Sequence, residues 1–251
     1  MGKLRIFTGI IVVTAFVLAG AVPGAAAPVE TNLFGLSGLF LGTNGTTVPA
    51  GSLAVGASML VIADDDVDGS TLPVAVNYGA TETIEIAAAF EAIKSYDGPG
   101  GDETGTGDLY LAAKFALQEE NADYPGVAAG VRLKLPMADD PLSTEETDFA
   151  LFAALDMRMK SVEGILNVEY LLPGGDYNNQ VNYVVGLRIP YSDTTDFTLE
   201  LMDNDLVGDV FAGGATFDMG SSVNFGAAVG IGLDEDTSAD FAVQGKLTFT
   251  F

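Results

Sequence analysis

Side chains able to do chemistry are unevenly supplied in this chain: 35 Asp and Glu stand against 10 Lys and Arg, with no His and no Cys. The absence of His removes the commonest general base, and the absence of Cys removes disulfides, thiol nucleophiles and thiolate metal ligands. No spacing singles out a pair of carboxylates for acid–base work, so neither catalysis nor a cofactor is expected. The few cations instead follow a positional rule. Lys114, Arg132, Lys134 and Arg158 share one parity across three successive stretches of alternating hydrophobicity, and Arg188 and Lys246 do the same further along. Glu85 and Glu91 precede this basic group, while Asp156, Glu163, Glu169 and Glu200 lie within or after it. In an extended chain, residues two apart point to the same side. The chemistry these residues can do together is therefore that of a charged wall. It either sets selectivity along a narrow path, with basic and acidic walls opposed, or pairs internally and fills the space.

Asp64-Asp65-Asp66-Val67-Asp68-Gly69 has the opening of a calcium loop, with Asp64, Asp66 and Asp68 as candidate ligands. The position that requires a bidentate Glu is Ala75, so the motif is incomplete and a solvated acidic loop is the simpler reading.

The elements that position the charged wall are strands. Val127, Ala129, Val131, Leu133 and Leu135 alternate with Ala128, Gly130, Arg132 and Lys134; Phe241, Val243, Leu247, Phe249 and Phe251 alternate with Gln244, Lys246, Thr248 and Thr250. Period-2 alternation of this kind predicts strands with two distinct faces. Twelve such segments are expected near residues 51–62, 71–79, 82–93, 105–118, 124–136, 147–159, 161–172, 180–190, 195–203, 206–218, 221–233 and 239–251. Most have the length of a tilted strand crossing a bilayer, about 9–11 residues, rather than the shorter strands of soluble sheets. Longer acidic connections at 63–70, 94–104, 137–146, 173–179 and 234–238 alternate with tight turns near Gly79–Thr81, Lys160, Ser192–Asp193 and Met219–Gly220.

Ahead of the strands, Lys3 and Arg5 precede an apolar run from Ile6 to Ala19 and then a small-residue stretch to Pro28, the order of a secretory signal peptide. The expected organisation is a signal peptide over 1–27, a pre-barrel segment over 28–50 and a barrel over 51–251. Within the pre-barrel segment, Leu33 to Leu41 could enter the barrel as a plug; a periplasmic cap, a thirteenth strand and an interfacial segment are the alternatives.

Hydrophobic residues make up 48% of a chain whose formal net charge is −25. The charge excludes nucleic acid as a partner, because phosphate binding needs clustered Lys and Arg. A soluble sandwich or lipocalin-like barrel would place its apolar face inward and a polar face outward. Here the less apolar face carries Asn224, Gly226, Ala228, Gly230 and Gly232, which suits a lumen, where small residues leave room, better than a solvated surface. The expected fold is all-β: a closed antiparallel transmembrane β-barrel of about 12 strands in the bacterial outer membrane, closed because lipid cannot satisfy an open sheet edge. Charges on the lipid face would cost about 2–4 kcal/mol each for Lys or Arg at mid-membrane, which enforces the parity noted above.

Two stretches carry a family likeness. Gly107-Asp108-Leu109-Tyr110-Leu111-Ala112-Ala113-Lys114-Phe115, followed by Gly130-Val131-Arg132-Leu133-Lys134-Leu135-Pro136, resembles a hairpin of the outer-membrane family labelled "MetA-pathway of phenol degradation". Gly38-Leu39-Phe40 through Val48-Pro49-Ala50-Gly51 is similar to its pre-barrel entry, and Tyr78 followed by Glu85 fits its second hairpin. The resemblance implies a passive channel that admits small hydrophobic or aromatic compounds. Terminal Phe251 resembles the signal read by the barrel-assembly machinery. Expected partners are that machinery, outer-membrane lipid, small hydrophobic solutes, and lipopolysaccharide bridged by divalent cations to the acidic outer rim. A non-conducting structural or adhesive barrel and a general cation-preferring porin are the alternative functions.

Overall fold

The computed structural model describes residues 29–63, 68–98, 101–121, 123–138, 141–203, 209–233 and 240–251. The expected signal peptide, Asp64, Asp66 and the acidic groups at 139–140 and 234–236 lie outside these residues.

The strands, in order, are β1 (Leu53–Ala63), β2 (Asp68–Thr81), β3 (Ile84–Gly98), β4 (Gly101–Gly105), β5 (Leu109–Gln118) and β6 (Gly126–Leu135). They continue with β7 (Asp148–Met159), β8 (Val162–Leu172), β9 (Gln180–Ser192), β10 (Thr195–Asp203), β11 (Val210–Asp218), β12 (Val223–Gly232) and β13 (Phe241–Thr250). Apart from β4 and β5, each pairs antiparallel with its sequence neighbours, and β1 pairs with both β2 and β13, which closes the ring. The seam ends with Leu53 and Phe251 exchanging backbone hydrogen bonds of 3.0 and 2.8 Å. β4 and β5 both pair with β3, on either side of residues 106–108, so the two together make one stave of a twelve-stave barrel.

Two predicted loops are partly strand. β2 already starts at Asp68, and β3 runs to Gly98 before returning as β4, so the hairpin continues through the acidic stretch at 94–104. Beyond the bilayer, backbone pairing no longer depends on an apolar face, and composition there understates strand length. Cross-strand contacts hold the extension, with the Ser70 and Ser95 hydroxyls 2.7 Å apart.

The alternation becomes an inside and an outside. Along β8, Ile165 and Asn167 are buried, whereas Leu166, Val168 and Tyr170 are exposed on the outer face. The same exposure recurs at Met59, Leu151, Val185, Phe211, Val229 and Phe241, forming an apolar belt far too extensive for a soluble surface. Aromatics pair across strands near the turn end, Tyr191 with Phe197 at 5.5 Å and Phe217 with Phe225 at 6.2 Å. Such side chains suit the membrane–water boundary, being apolar in bulk and polarisable at the edge. The short connections 82–83, 160–161 and 193–194 share the barrel end that holds both β1's start and β13's finish. In outer-membrane barrels that end is periplasmic.

Residues 29–50 form no named strand. They fold through two isolated bridges, Thr31 with Ser37 and Gly38 with Thr43. Gly38 sits where a Cβ would come 2.1 Å from the Gly42 carbonyl oxygen, so only glycine permits this tight fold. Leu36, Leu39, Phe40 and Val48 within the segment are almost fully buried. Their segment bonds to inward side chains of β3, β5, β8, β10, β11 and β13, strands spaced around the whole ring, and therefore lies within the lumen.

Candidate functional site in the barrel interior

A chain segment crossing a barrel interior brings backbone groups that need partners, because no strand supplies a ladder for them. Two carboxylates provide most of these partners. Glu200, on β10, accepts from the backbone N–H groups of Phe40, Leu41 and Gly42 at 3.0, 2.9 and 2.9 Å. Glu85, on β3, accepts from Ser37 N–H at 2.8 Å, Ser37 hydroxyl at 2.7 Å and Val48 N–H at 3.0 Å. It also accepts from the Asn77 amide at 2.9 Å. Asn167 on β8 reads both backbone groups of Thr43, accepting from its N–H and donating to its carbonyl. On β13, Lys246 donates to the Leu39 carbonyl at 3.2 Å and lies 4.5 Å from the Phe40 ring centre.

Glu30 is the one charged residue of the segment 29–50. It is tied to Arg188 at 3.3 Å, Lys246 at 3.4 Å and the Thr216 hydroxyl at 3.1 Å. Burial opposes its ionisation, but the Lys246 and Arg188 charges outweigh it and hold the carboxyl below the usual glutamate range.

Register decides how the strand charges combine. Glu85 and Lys114 are direct cross-strand partners and form a fully buried pair at 3.0 Å. Glu163 lies opposite both Arg158 and Arg188 and binds Arg188 at 3.1 Å. Arg132 reaches Glu169 at 2.7 Å, Lys134 reaches Asp148 at 2.7 Å, and Glu91 binds Lys94 at 3.1 Å. Acids and bases are therefore neighbours on one wall, not opposed walls across a path. Asp156 is buried inside near Gly45 and Gly126, whereas Arg158 is largely exposed, its side chain standing out at the periplasmic mouth. Asp68 is exposed at the outer start of β2.

Sequence reasoning did not single out Glu30, Asn77, Asp108, Asn167, Asn182, Thr216 and Thr248 as site residues. All but Glu30 and Asp108 are polar and uncharged, and five sit at inward positions of strands. A polar residue at inward parity was the available signal.

Glycines shape the wall to the segment. A Cβ on Gly226 would come 3.0 Å from the Phe40 ring and 2.9 Å from the Lys246 side chain, so this wall is cut back to seat Phe40.

Space remains on both sides of the segment. Toward the long-loop end a cavity of about 270 Å³ is lined by Leu33, Leu36, Leu41, Ile62, Phe152 and Met202, with Arg132, Glu169 and Asn182 at one edge. Toward the periplasmic end a cavity of about 200 Å³ with a mixed lining is bounded by Val29, Glu30, Ser37, Asn44, Val48 and Arg188. Leu36 faces the first and Ser37 the second, so the segment partitions the two. A third space of about 440 Å³ at the outer rim lies between Lys94, Tyr110, Lys134, Ser143 and Tyr177.

The geometry is that of known outer-membrane barrels. An outer membrane channel from Pseudomonas putida F1 superposes with a TM-score of 0.68 at 14% identity, covering 82% of this chain and 97% of that one. The KdgM porin gives 0.54 at 9% identity, over 80% of this chain and 99% of its own. The NanC porin gives 0.51 at 10% identity, over 79% and 98%. At such identities the likeness shows the fold alone. No curated protein matches the sequence. Residues 40–250 match the family described as "Putative MetA-pathway of phenol degradation". The match spans the Phe40 anchor, both carboxylate latches and every barrel strand, and this outer-membrane β-barrel belongs to that family.

Proposed function

We propose that this protein is a passive outer-membrane channel for small hydrophobic or aromatic molecules, closed at rest by its own residues 29–50. One observation carries the reading: the barrel encloses a mainly apolar cavity of about 270 Å³ on the loop side of the segment, floored by Leu33, Leu36 and Leu41. Pockets that take small organic solutes are concave and mostly apolar, with a few polar groups at the edge. A barrel selected only for stability has no reason to keep such a space. The family description refers to phenol degradation, and the Pseudomonas putida F1 neighbour is described as a channel. The strand charges are spent on one another and on the segment's backbone, which argues against a general cation-preferring porin. With no His in the chain, no catalytic role is proposed.

Removing residues 29–50 is expected to turn a nearly silent barrel into one with discrete openings in planar bilayers. A reversible lock can be built because the chain has no Cys and the Thr31 and Thr248 hydroxyls are 3.0 Å apart. Thr31→Cys with Thr248→Cys pins the segment near Thr31 while β1 holds its other end. Oxidation should abolish aromatic solute entry, and reductant should restore it. No openings from either the intact or the truncated protein would instead support a structural or adhesive barrel. Beyond the solute, the partners we propose are the assembly machinery, through Phe251, and lipopolysaccharide, through divalent cations at the acidic outer rim. Lipopolysaccharide retention unaffected by a chelator would remove the latter.

A further inference from the structure

The outer cavity is mainly apolar; of its polar lining residues, Asn32, Thr43 and Asn167 bond to one another and to the segment's backbone, whereas Arg132, Glu169 and Asn182 face it from β6, β8 and β9. Glu169 and Asn182 are direct cross-strand partners. One oxygen of Glu169 accepts from Arg132 at 2.7 Å and from the Asn182 amide nitrogen at 3.2 Å. An ionised carboxylate can only accept, so the amide must turn its nitrogen toward Glu169, and its oxygen is thereby directed elsewhere. Asn182 is 7% exposed, and its Oδ1 is buried without a hydrogen-bond partner among the described residues. Buried acceptors left unpaired are costly and uncommon in native structures. The Arg132 guanidinium, neutralised by Glu169, lies 3.9 Å over the ring of Phe34 from the lumen segment. The polar edge is thus a charge-balanced group carrying one vacant acceptor, set beside an apolar chamber.

We propose that Asn182 and Glu169 form the head-group subsite of this cavity, and that it takes a neutral amphiphile with an apolar body and a single hydroxyl or N–H donor. The donor pairs with Asn182 Oδ1, and the body packs on Leu33, Leu36, Leu41 and Met202. Anions are disfavoured, because Glu169 already offsets the nearby cation. The proposal rests on the cavity being the solute's path and adds what selects the solute. A site built around a hydrogen bond discriminates strongly against a same-shaped molecule that lacks the donor.

The test uses the full mature protein in lipid nanodiscs, with empty nanodiscs as the reference for partitioning into lipid. Fluorine NMR titrations compare 4-fluorobenzyl alcohol, its near-isostere 1-ethyl-4-fluorobenzene, and 4-fluorobenzoate. Asn182→Leu is expected to weaken the alcohol about five- to ten-fold, the worth of one hydrogen bond, and to leave the ethyl compound unchanged. Asn182→Thr, which keeps an acceptor, should recover part of the loss, and benzoate should bind weakest throughout. Heat-modifiable electrophoretic mobility reports whether each variant is folded. If Asn182→Leu is not folded, Asn182→Thr against the wild type carries the comparison. An equal effect of Asn182→Leu on alcohol and ethyl compound, or none on either, overturns the head-group site and leaves the apolar cavity standing. Absence of saturable binding by any of the three overturns both.

Discussion

At the scale of single residues, Glu200 holds the lumen segment more directly than any ion pair. Its carboxylate gathers three consecutive backbone N–H groups where the lumen segment turns at Phe40, Leu41 and Gly42. Hydrogen bonds to a charged acceptor contribute about 1.5–3 kcal/mol each, and donors left unpaired in a buried site cost about 1–3 kcal/mol. Glu200→Ala is therefore expected to loosen the segment while leaving every strand ladder intact. Chymotrypsin should then cut near Phe34, Leu39 or Phe40 at a rate at least ten-fold above wild type, with the barrel still heat-modifiable. Protection equal to wild type would mean that Glu85 and Asn167 suffice without it. The Glu85–Lys114 pair is a different case. Its members are fully buried and both also bond to the lumen segment, so removing one strands the other and perturbs barrel stability and the segment's seat together.

At the scale of elements, the lumen segment and the β11–β13 wall are fitted to each other. The cut-back wall at Gly226 opposes Phe40, and Lys246 closes the seat from the neighbouring strand. The three heavy atoms nearest to a Cβ at Gly226 all belong to movable side chains, Lys246 and Phe40. Gly226→Leu is thus predicted to expel Phe40 while keeping the β12 register. The measurement is conductance, which should rise toward that of the truncated protein; a wild-type level would show that Phe40 is not an anchor. Gly130 makes a useful contrast, since a Cβ there would come 2.4 Å from the Ala113 carbonyl oxygen and disturb the sheet itself.

At the scale of the whole molecule, closure is what makes the chain compatible with a membrane. Every spanning strand has two neighbours, and no edge is presented to lipid. The closing β1–β13 pair runs from Ala54 opposite Thr250 to Ala63 opposite Phe241, and Phe251 extends it by two backbone bonds to Leu53. Deleting Phe251 is predicted to lower the yield of assembled barrel in cells several-fold. Refolding of the purified chain into detergent should change little, because ten register pairs of the seam remain. A parallel loss in both would assign Phe251 to stability instead of recognition during assembly.

The sequence by itself determined the strands, their facing and the even stave count, because alternation is a local, period-2 property enforced by the cost of placing charge in lipid. It showed that Lys114, Arg132 and Glu200 point inward, and it marked Leu33 to Leu41 as able to enter the barrel. It left that segment open to other readings, since residues 29–50 carry one charge and no alternation. Only the tertiary structure decided which inward charges become partners, because pairing depends on register between strands, as at Glu85 and Lys114. The tertiary structure also placed Val29 against Thr250, 221 residues away, and Phe40 against Glu200. Contacts of that span follow from ring closure and leave no mark on local composition. The apolar chamber above the segment, with Asn182 at its edge, exists only once the ring has closed around it.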